Sequence, residues 1–267
     1  MKDLNRPIGV FDSGMGGLTA VKQLIKFLPN EDIVYLGDTA RVPYGNKSKK
    51  TVIKFSIQNT LCLLKFKVKL IIIACNTSSS LALNTLRKRF KIPIIGVIEP
   101  GVKKALQLTR NKCIGVIGTN ATISSNAYQR EISRIAPSVK VFGQSCPLFV
   151  PLAEEGWLRG KVTLDIIRKY LAPLIKRKID TLILGCTHYP LLKPSIKKAI
   201  GTDIKLIDSA NEVAQGVKRL MNVKGIASEE NKKGRMKFFL TDKPYNFKGI
   251  AEKFLGRKIG YIYQVKI

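Results

Sequence analysis

Residues 70–77 read LIIIACNT, and residues 182–188 read LILGCTH. In each stretch an apolar run of strand length ends on a cysteine, Cys75 in the first and Cys186 in the second. Small polar residues that can cap a helix or hold a ligand follow at once. Two thiols presented in the same way predict one paired site, with a base on one face of a substrate carbon and an acid on the other.

Strand-like apolar runs alternate with amphipathic helical stretches along most of the chain. The first series predicts strands at 8–11, 33–36, 70–74 and 94–97, and helices at 18–28, 51–66 and 79–90. The second series predicts strands at 113–117, 139–142, 181–184 and 204–207, and helices at 124–135, 162–175 and 194–199. This order predicts an α/β fold of two pseudo-symmetric lobes, each a mainly parallel sheet flanked by helices, with an active site at the lobe interface.

The lobes are predicted to divide the chain into residues 1–97 plus 209–267, and residues 98–208. A short internal echo supports a duplication, because residues 10–14 read VFDSG and residues 206–210 read LIDSA. A pseudo-twofold axis would then relate Asp12 to Asp208 and Cys75 to Cys186. The Lys- and Gly-rich tail from Met221 onward is predicted to be irregular, with one or two edge elements.

With 267 residues, 45% of them hydrophobic, the chain has enough apolar residues for a substantial core. It holds no uninterrupted apolar run long enough for a membrane span, and its first seven residues, MKDLNRP, contain no signal core. We expect a cytoplasmic protein that makes no membrane contact.

The five cysteines contain no CxxC pair, which argues against a disulfide framework and a structural zinc site. Cys62, Cys113 and Cys146 lie in apolar surroundings and are interpreted as structural residues. Cys75 and Cys186 each stand between a strand and a helix start, where the helix dipole favours a thiolate. Either one alone could still be a small core residue.

The formal net charge is +29, from 47 Lys and Arg against 18 Asp and Glu, a balance that raises the question of nucleic-acid binding. The basic residues are scattered over nearly every predicted element, and 34 of them are lysines. No recognition motif accompanies them. A solvated lysine-rich surface is the preferred interpretation, and nucleic acid is not predicted as a partner.

His188, the only histidine, follows Cys186 by two residues. It could orient the thiol, shuttle a proton, bind a carboxylate, or only satisfy a local hydrogen bond. A metal site built from Cys75, Cys186 and His188 matches no common zinc signature, so no metal is predicted.

Three loops could wall a pocket. Residues 12–17, DSGMGG, lack the glycine and lysine pattern of a nucleotide loop, yet their amides could approach a carboxylate, and Asp12 could accept from an ammonium group. A simple strand-to-helix turn is the alternative. The polar loops 35–45 and 147–156 are predicted as further pocket walls.

Four motifs taken together resemble the glutamate racemases of the aspartate/glutamate racemase superfamily. They are GVFDSGMGG at 9–17, GDTARVPYG at 37–45, ACNT at 74–77 and GCTHYPLL at 185–192. The resemblance implies interconversion of L-glutamate and D-glutamate without cofactor or metal, to supply D-glutamate for peptidoglycan. It also implies a homodimer.

The resemblance assigns roles position by position. Cys75 and Cys186 would be the two proton donors and acceptors, assisted by Asp12, His188 and Glu154. The implied substrate contacts are Asp12, Ser13, Tyr44, Gly45, Asn76, Thr77, Thr187 and His188.

Two other functions stay open from the sequence. One is racemisation of aspartate or another small acidic amino acid, which pocket size would decide. The other is a basic nucleic-acid-binding protein whose cysteines are structural.

Overall fold

The computed structural model describes residues 4–229, 232–245 and 247–267. Residues 1–3, part of the amino terminus interpreted above as lacking a signal core, lie outside these ranges. The strands of the described residues are β1 (Ile8–Asp12), β2 (Ile33–Gly37), β3 (Leu70–Ile73), β4 (Ile94–Gly96), β5 (Cys113–Gly118), β6 (Lys140–Ser145), β7 (Thr181–Gly185), β8 (Lys205–Asp208), β9 (Met236–Leu240) and β10 (Ile262–Gln264).

Helices cover these strands. In chain order they are α1 (Leu18–Phe27), α2 (Lys49–Leu64), α3 (Asn76–Leu81), α4 (Leu83–Arg89), α5 (Ile98–Leu108), α6 (Asn120–Ser124), α7 (Ala127–Ile135), α8 (Phe149–Glu154), α9 (Lys161–Lys176), α10 (Lys193–Ile200), α11 (Ser209–Lys224) and α12 (Phe247–Leu255). Short 3₁₀ turns occupy Thr39–Arg41, Tyr44–Asn46 and Tyr189–Leu192. Within the described ranges no helix is long and apolar enough to cross a membrane.

The strands form two sheets, and every strand pair within them is parallel across the described residues. The first sheet has the order β10-β9-β2-β1-β3-β4, and the second has the order β6-β5-β7-β8. We call the region around the first sheet the first lobe and the region around the second sheet the second lobe. The predicted α/β class, with helix-flanked parallel sheets, is confirmed.

The sheet orders match β3 with β7, so Cys75 and Cys186 follow equivalent strands. The predicted equivalence of Asp12 and Asp208 is wrong, because β8 corresponds to β4 and the counterpart of β1 is β5. The similar residues after β1 and β8 have a local cause instead. Each aspartate accepts a backbone N–H two residues on, from Gly14 and from Ala210, which is common where a strand turns into a helix.

The central strands are buried on both faces, as their apolar sequences predict. All four residues of β3 have no exposed surface. Apolar helix residues pack on both sides of the first sheet, with Leu18, Leu24 and Val217 on one side and Leu63 and Leu86 on the other. Apolar burial on both faces stabilises these strands and fixes where their carboxyl ends lie.

Two helices predicted as continuous are each broken in two. The stretch 79–90 divides at Ala82 into α3 and α4, and α3 starts earlier because the Cys75 sulfur caps it by accepting the Ser78 N–H at 3.5 Å. The stretch 124–135 divides at Asn126, whose φ of 52° lies in the left-handed region. In contrast, α9 continues through Pro173.

The tail is more regular than predicted. The helix α11 extends to Lys224, β9 lies inside the first sheet between β2 and β10, and α12 packs against α1. Phe238 and Leu240 of β9 are buried on the sheet, whereas β10 is the edge strand. The apolar run of β9 is short and has lysines on both sides, so the sequence pattern did not predict a strand there.

Candidate active site

A cavity lies between the two lobes at the carboxyl ends of β1, β3, β5 and β7. The free space at this site, counted together with the open solvent at its mouth, is about 350 Å³. Its lining residues are Ser13, Val42, Pro43, Tyr44, Gly45, Cys75, Asn76, Thr77, Thr119, Val150, Cys186, Thr187 and His188. Both candidate thiols therefore face one cavity.

Cys75 lies at the end of β3 and is 5% exposed. Its thiol donates to the Ser13 hydroxyl at 3.6 Å and accepts the Ser78 N–H at 3.5 Å. Burial, together with the nearby carboxylate of Asp12, raises the pKa of Cys75 to about 11. The thiol form of Cys75 therefore dominates at neutral pH.

Cys186 lies at the end of β7 and is 7% exposed. Its sulfur is 3.8 Å from Nδ1 of His188, and Nε2 of the same ring is 3.0 Å from Oε1 of Glu154. Burial alone would lower the pKa of His188, but hydrogen bonds to Cys186 and Glu154 and their negative charge raise it to about 10. A chain of three groups thus leads from the sulfur to a carboxylate whose side chain is 33% exposed.

Asp12 is fully buried at the end of β1, beside the cavity. Its Oδ2 accepts the Gly14 N–H at 3.0 Å. Burial raises the pKa of Asp12, and the charge of His188 opposes this rise. Gly17 must lack a side chain, because a Cβ there would come within 2.5 Å of the Asp12 Cβ.

Polar side chains bridge the lobes at the cavity. The Thr77 hydroxyl of the first lobe is 3.0 Å from that of Thr119 and 3.2 Å from that of Thr122, both in the second lobe. Tyr128 of the second lobe donates to Oδ1 of Asn76 at 2.6 Å. Residues that face the cavity are therefore held in place by contacts across the gap.

Tyr44 and Gly45 line the cavity, but the phenol of Tyr44 is engaged elsewhere. Its hydroxyl donates to the carboxylate of Asp38, and burial and that carboxylate raise the pKa of Tyr44. The contact of Tyr44 with substrate stays a prediction, and because Asp38 engages the hydroxyl, the ring or the backbone of Tyr44 would make it.

The structure brings nine of the eleven predicted site residues to the wall of the cavity. The other two, Asp12 and Glu154, act on wall residues, Asp12 through its charge near Cys75 and Glu154 through its hydrogen bond to His188. The two loops predicted as pocket walls also contribute, through Val42 and Pro43 in one and Val150 in the other.

Sequence reasoning missed Thr119, Thr122 and Tyr128. Thr119 directly follows β5, the counterpart of β1, so the same rule that singled out Asp12 and Ser13 would have found it. Its side chain caps α6 by accepting the Thr122 N–H at 3.3 Å. Nothing in the local sequence signals Tyr128, which reaches Asn76 only through the packing of the lobes.

The remaining cysteines are absent from the residues that line this cavity. Cys62 and Cys146 are buried in apolar clusters, and Cys113 begins β5. Among the described residues no group of three or more His, Cys, Asp and Glu side chains is arranged to hold a metal ion.

Comparison with known proteins gives a consistent result. Residues 21–217 match the family model described as Asp/Glu/Hydantoin racemase. A protein of Geobacter metallireducens named glutamate racemase is 47% identical over 98% of this chain and 97% of its own length. A glutamate racemase of Neisseria meningitidis serogroup A is 48% identical over 98% of this chain and 97% of its own length.

Solved structures agree with these relatives. The crystal structure of glutamate racemase from Francisella tularensis in complex with D-glutamate superposes with a TM-score of 0.94. It is 42% identical in sequence and covers 98% of both chains.

Proposed function

The chain belongs to the Asp/Glu/Hydantoin racemase family and is an isomerase that interconverts L- and D-glutamate; we propose that Cys75 and Cys186 exchange protons with the substrate α-carbon from opposite faces. The observation that carries this proposal is that both sulfurs line one cavity between the lobes. They follow equivalent strands of the two sheets, so each lobe contributes one thiol to the cavity.

The chemistry needs one base and one acid at the same carbon. The thiolate of one cysteine removes the α-proton, and the electron pair of the broken C–H bond is delocalised into the substrate carboxylate. The thiol of the other cysteine then gives its proton to the opposite face, and a new C–H bond forms. The two cysteines leave the cycle with their protonation states exchanged, ready for the other enantiomer.

Each cysteine has its own assistant. Asp12 lies near Cys75, and its pKa is raised by burial, so it can take and return a proton. His188 performs this role beside Cys186, with Glu154 holding the other ring nitrogen. These pairs keep each thiol able to act in both directions.

Polar groups of both lobes bind the amino acid. The hydroxyls and amides of Ser13, Asn76, Thr77 and Thr187, which line the cavity, suit the two carboxylates. The resemblance to the family assigns the ammonium group to Asp12, which lies buried behind the wall. Donors around the α-carboxylate also stabilise the negative charge that develops when the proton leaves. Both thiols in the cavity are more than 90% buried, and limited contact with water strengthens these interactions.

The proposal includes no cofactor. A pyridoxal-type mechanism needs a lysine for its Schiff base, and none of the described residues that line the cavity is a lysine. Resemblance to the family further supports a cytoplasmic role in supplying D-glutamate for peptidoglycan. It also predicts a homodimer, which light scattering on the purified chain would measure.

Replacing the thiols tests the two-cysteine mechanism. Cys75→Ala and Cys186→Ala should each abolish the decay of the circular dichroism signal of L-glutamate, because one proton donor or acceptor is missing. In deuterium oxide, the wild-type enzyme should place deuterium at the α-carbon of the product, as measured by NMR. Parallel assays with L-aspartate test the alternative substrate.

Cys62→Ala is the matched control, since this buried cysteine lies outside the cavity. It should keep wild-type turnover. Near-normal turnover in Cys75→Ala or Cys186→Ala would refute the two-cysteine assignment. Faster turnover of aspartate than of glutamate would refute the assignment of glutamate as the substrate.

A further inference from the structure

Asp38 stands directly after β2 and is fully buried, outside the residues that line the cavity. Its carboxylate accepts from Nε of Arg41 at 2.9 and 2.7 Å and from the hydroxyl of Thr241 at 3.0 Å. The phenol of Tyr44 donates to the same carboxylate. A buried carboxylate with this many donors holds its partners firmly, because losing one leaves a costly unpaired group.

These partners clamp the loop that follows β2. Arg41 packs its guanidinium over the ring of Phe55 at 4.1 Å and donates to Gln58 of α2. Asn59, also in α2, donates to the hydroxyl of Tyr44 at 3.1 Å. Arg41 and Tyr44 of this loop are therefore each held between Asp38 and α2.

The carboxy-terminal part of the chain completes the clamp. Thr241, just after β9, donates to Asp38 and accepts the Ala40 N–H at 2.9 Å. The Thr39 hydroxyl donates to the carbonyl of Asp242 and accepts the Asp242 N–H at 3.0 Å. A segment 203 residues away in sequence thus supports a wall of the cavity.

The supported segment is the turn Tyr44–Asn46, which sits tightly against the second lobe. A Cβ placed on Gly45 would come within 2.6 Å of the Thr119 Cβ. Small displacements of this turn therefore change the gap in which the substrate is bound.

We propose that Asp38 is a positioning residue of the reaction, acting through Tyr44 to hold the turn Tyr44–Asn46 at the substrate cavity. This inference rests on the proposed racemisation. Asp38 touches no reacting atom, so its loss should weaken substrate binding more than it slows the chemical step.

Asp32 provides a matched control, because it stands before β2 as Asp38 stands after it. Asp32 accepts the Arg235 N–H at 2.7 Å and its guanidinium at 3.1 Å, which ties β2 to the start of β9. Each aspartate therefore accepts a hydrogen bond from a residue at one end of β9 and also pairs with an arginine, which is Arg235 for Asp32 and Arg41 for Asp38. Only Asp38 lies at the cavity end.

The experiment compares Asp38→Asn with Asp32→Asn in the full chain, after wild-type racemisation has been measured. Asp38→Asn should raise the KM for glutamate about tenfold while changing kcat less, since a misplaced wall weakens binding. Asp32→Asn should leave both constants near wild type. Hydrogen exchange of residues 39–47 should accelerate in Asp38→Asn alone.

Equal KM values for the two variants, or unchanged exchange in residues 39–47, would overturn the inference. Absence of racemisation in the wild type would instead contradict the proposed function. If Asp38→Asn fails to fold, Thr241→Val removes one donor to the carboxylate and leaves the arginine pair. It should raise KM about threefold, and an unchanged KM there would also overturn the inference.

Discussion

Cys75 and Cys186 occupy equivalent positions at the ends of β3 and β7, yet their surroundings differ in kind. Cys75 contacts a hydroxyl and a backbone amide, with a buried carboxylate nearby. Cys186 contacts Nδ1 of the His188 imidazole, and the partly exposed carboxylate of Glu154 is hydrogen-bonded to Nε2 of the same ring. The residue two places after each cysteine, Thr77 or His188, makes much of this difference.

The comparison teaches that one backbone frame can place two thiols in chemically different surroundings. The thiol of Cys75, with its pKa raised to about 11, keeps its proton at neutral pH. The Cys186 side has a chain of titratable groups that reaches toward solvent through Glu154. The similarity of the strands sets where the sulfurs lie, and neighbouring side chains set which polar groups each sulfur contacts.

Removing the imidazole should have the largest effect on this asymmetry. We expect His188→Asn to lower kcat about a thousandfold, because Cys186 loses its proton carrier. Turnover is measured by circular dichroism from L-glutamate and from D-glutamate separately. A loss below tenfold in both directions would show that the imidazole takes no part in proton transfer.

Removing the charge behind the imidazole should have an intermediate effect. We expect Glu154→Gln to lower kcat about tenfold to a hundredfold, the equivalent of one charge-assisted hydrogen bond. Glu155→Gln is the control, because the neighbouring Glu155 is exposed and is not among the residues that line the cavity. Equal rates for these two variants would place Glu154 outside the relay.

The pH dependence of the free energy of unfolding should show the smallest effect. It distinguishes the surroundings of Cys186, through His188, from those of Cys75. The pKa of His188 is raised in the folded state to about 10, so its contribution is fully present below pH 6.5 and is lost as the pH rises through 10. For Cys75 the corresponding loss begins at its unfolded value of 9 and runs through about 11. The slope from either group is at most about 1.4 kcal/mol per pH unit.

Urea unfolding at a series of pH values measures these slopes. His188→Asn should flatten the curve between pH 6.5 and 10, and Cys75→Ala should flatten only its upper part. Identical curves for the two variants would contradict the different pKa values of His188 and Cys75.

The sequence was sufficient for the parts of the fold that depend on local apolar patterns. Strands such as β3 and β7 are unbroken apolar runs that end on polar residues, and their bounds differ from the predicted ones by only one residue. The helix α5 and the ordered tail escaped prediction, because their apolar residues are interrupted by lysines and find partners only after the lobe has formed.

The candidate site likewise contains residues that local sequence patterns predict and residues that they do not. The thiols and His188 could be found because they follow strands in recognisable motifs. The contact of Tyr128 with Asn76, the orientation of the Tyr44 phenol and the support from Thr241 all join distant parts of the chain. No local pattern encodes such contacts, since they depend on how the lobes and the tail pack together.

The hydrogen bonds that join Thr77 to Thr119 and Asn76 to Tyr128 have a consequence for any fragment of this molecule. Each lobe carries one sulfur, and both lobes supply groups that would bind the amino acid. A piece cut between the lobes would lack both an opposing thiol and an opposing wall, even if it kept its shape. The proposed mechanism therefore requires both lobes in one assembled molecule.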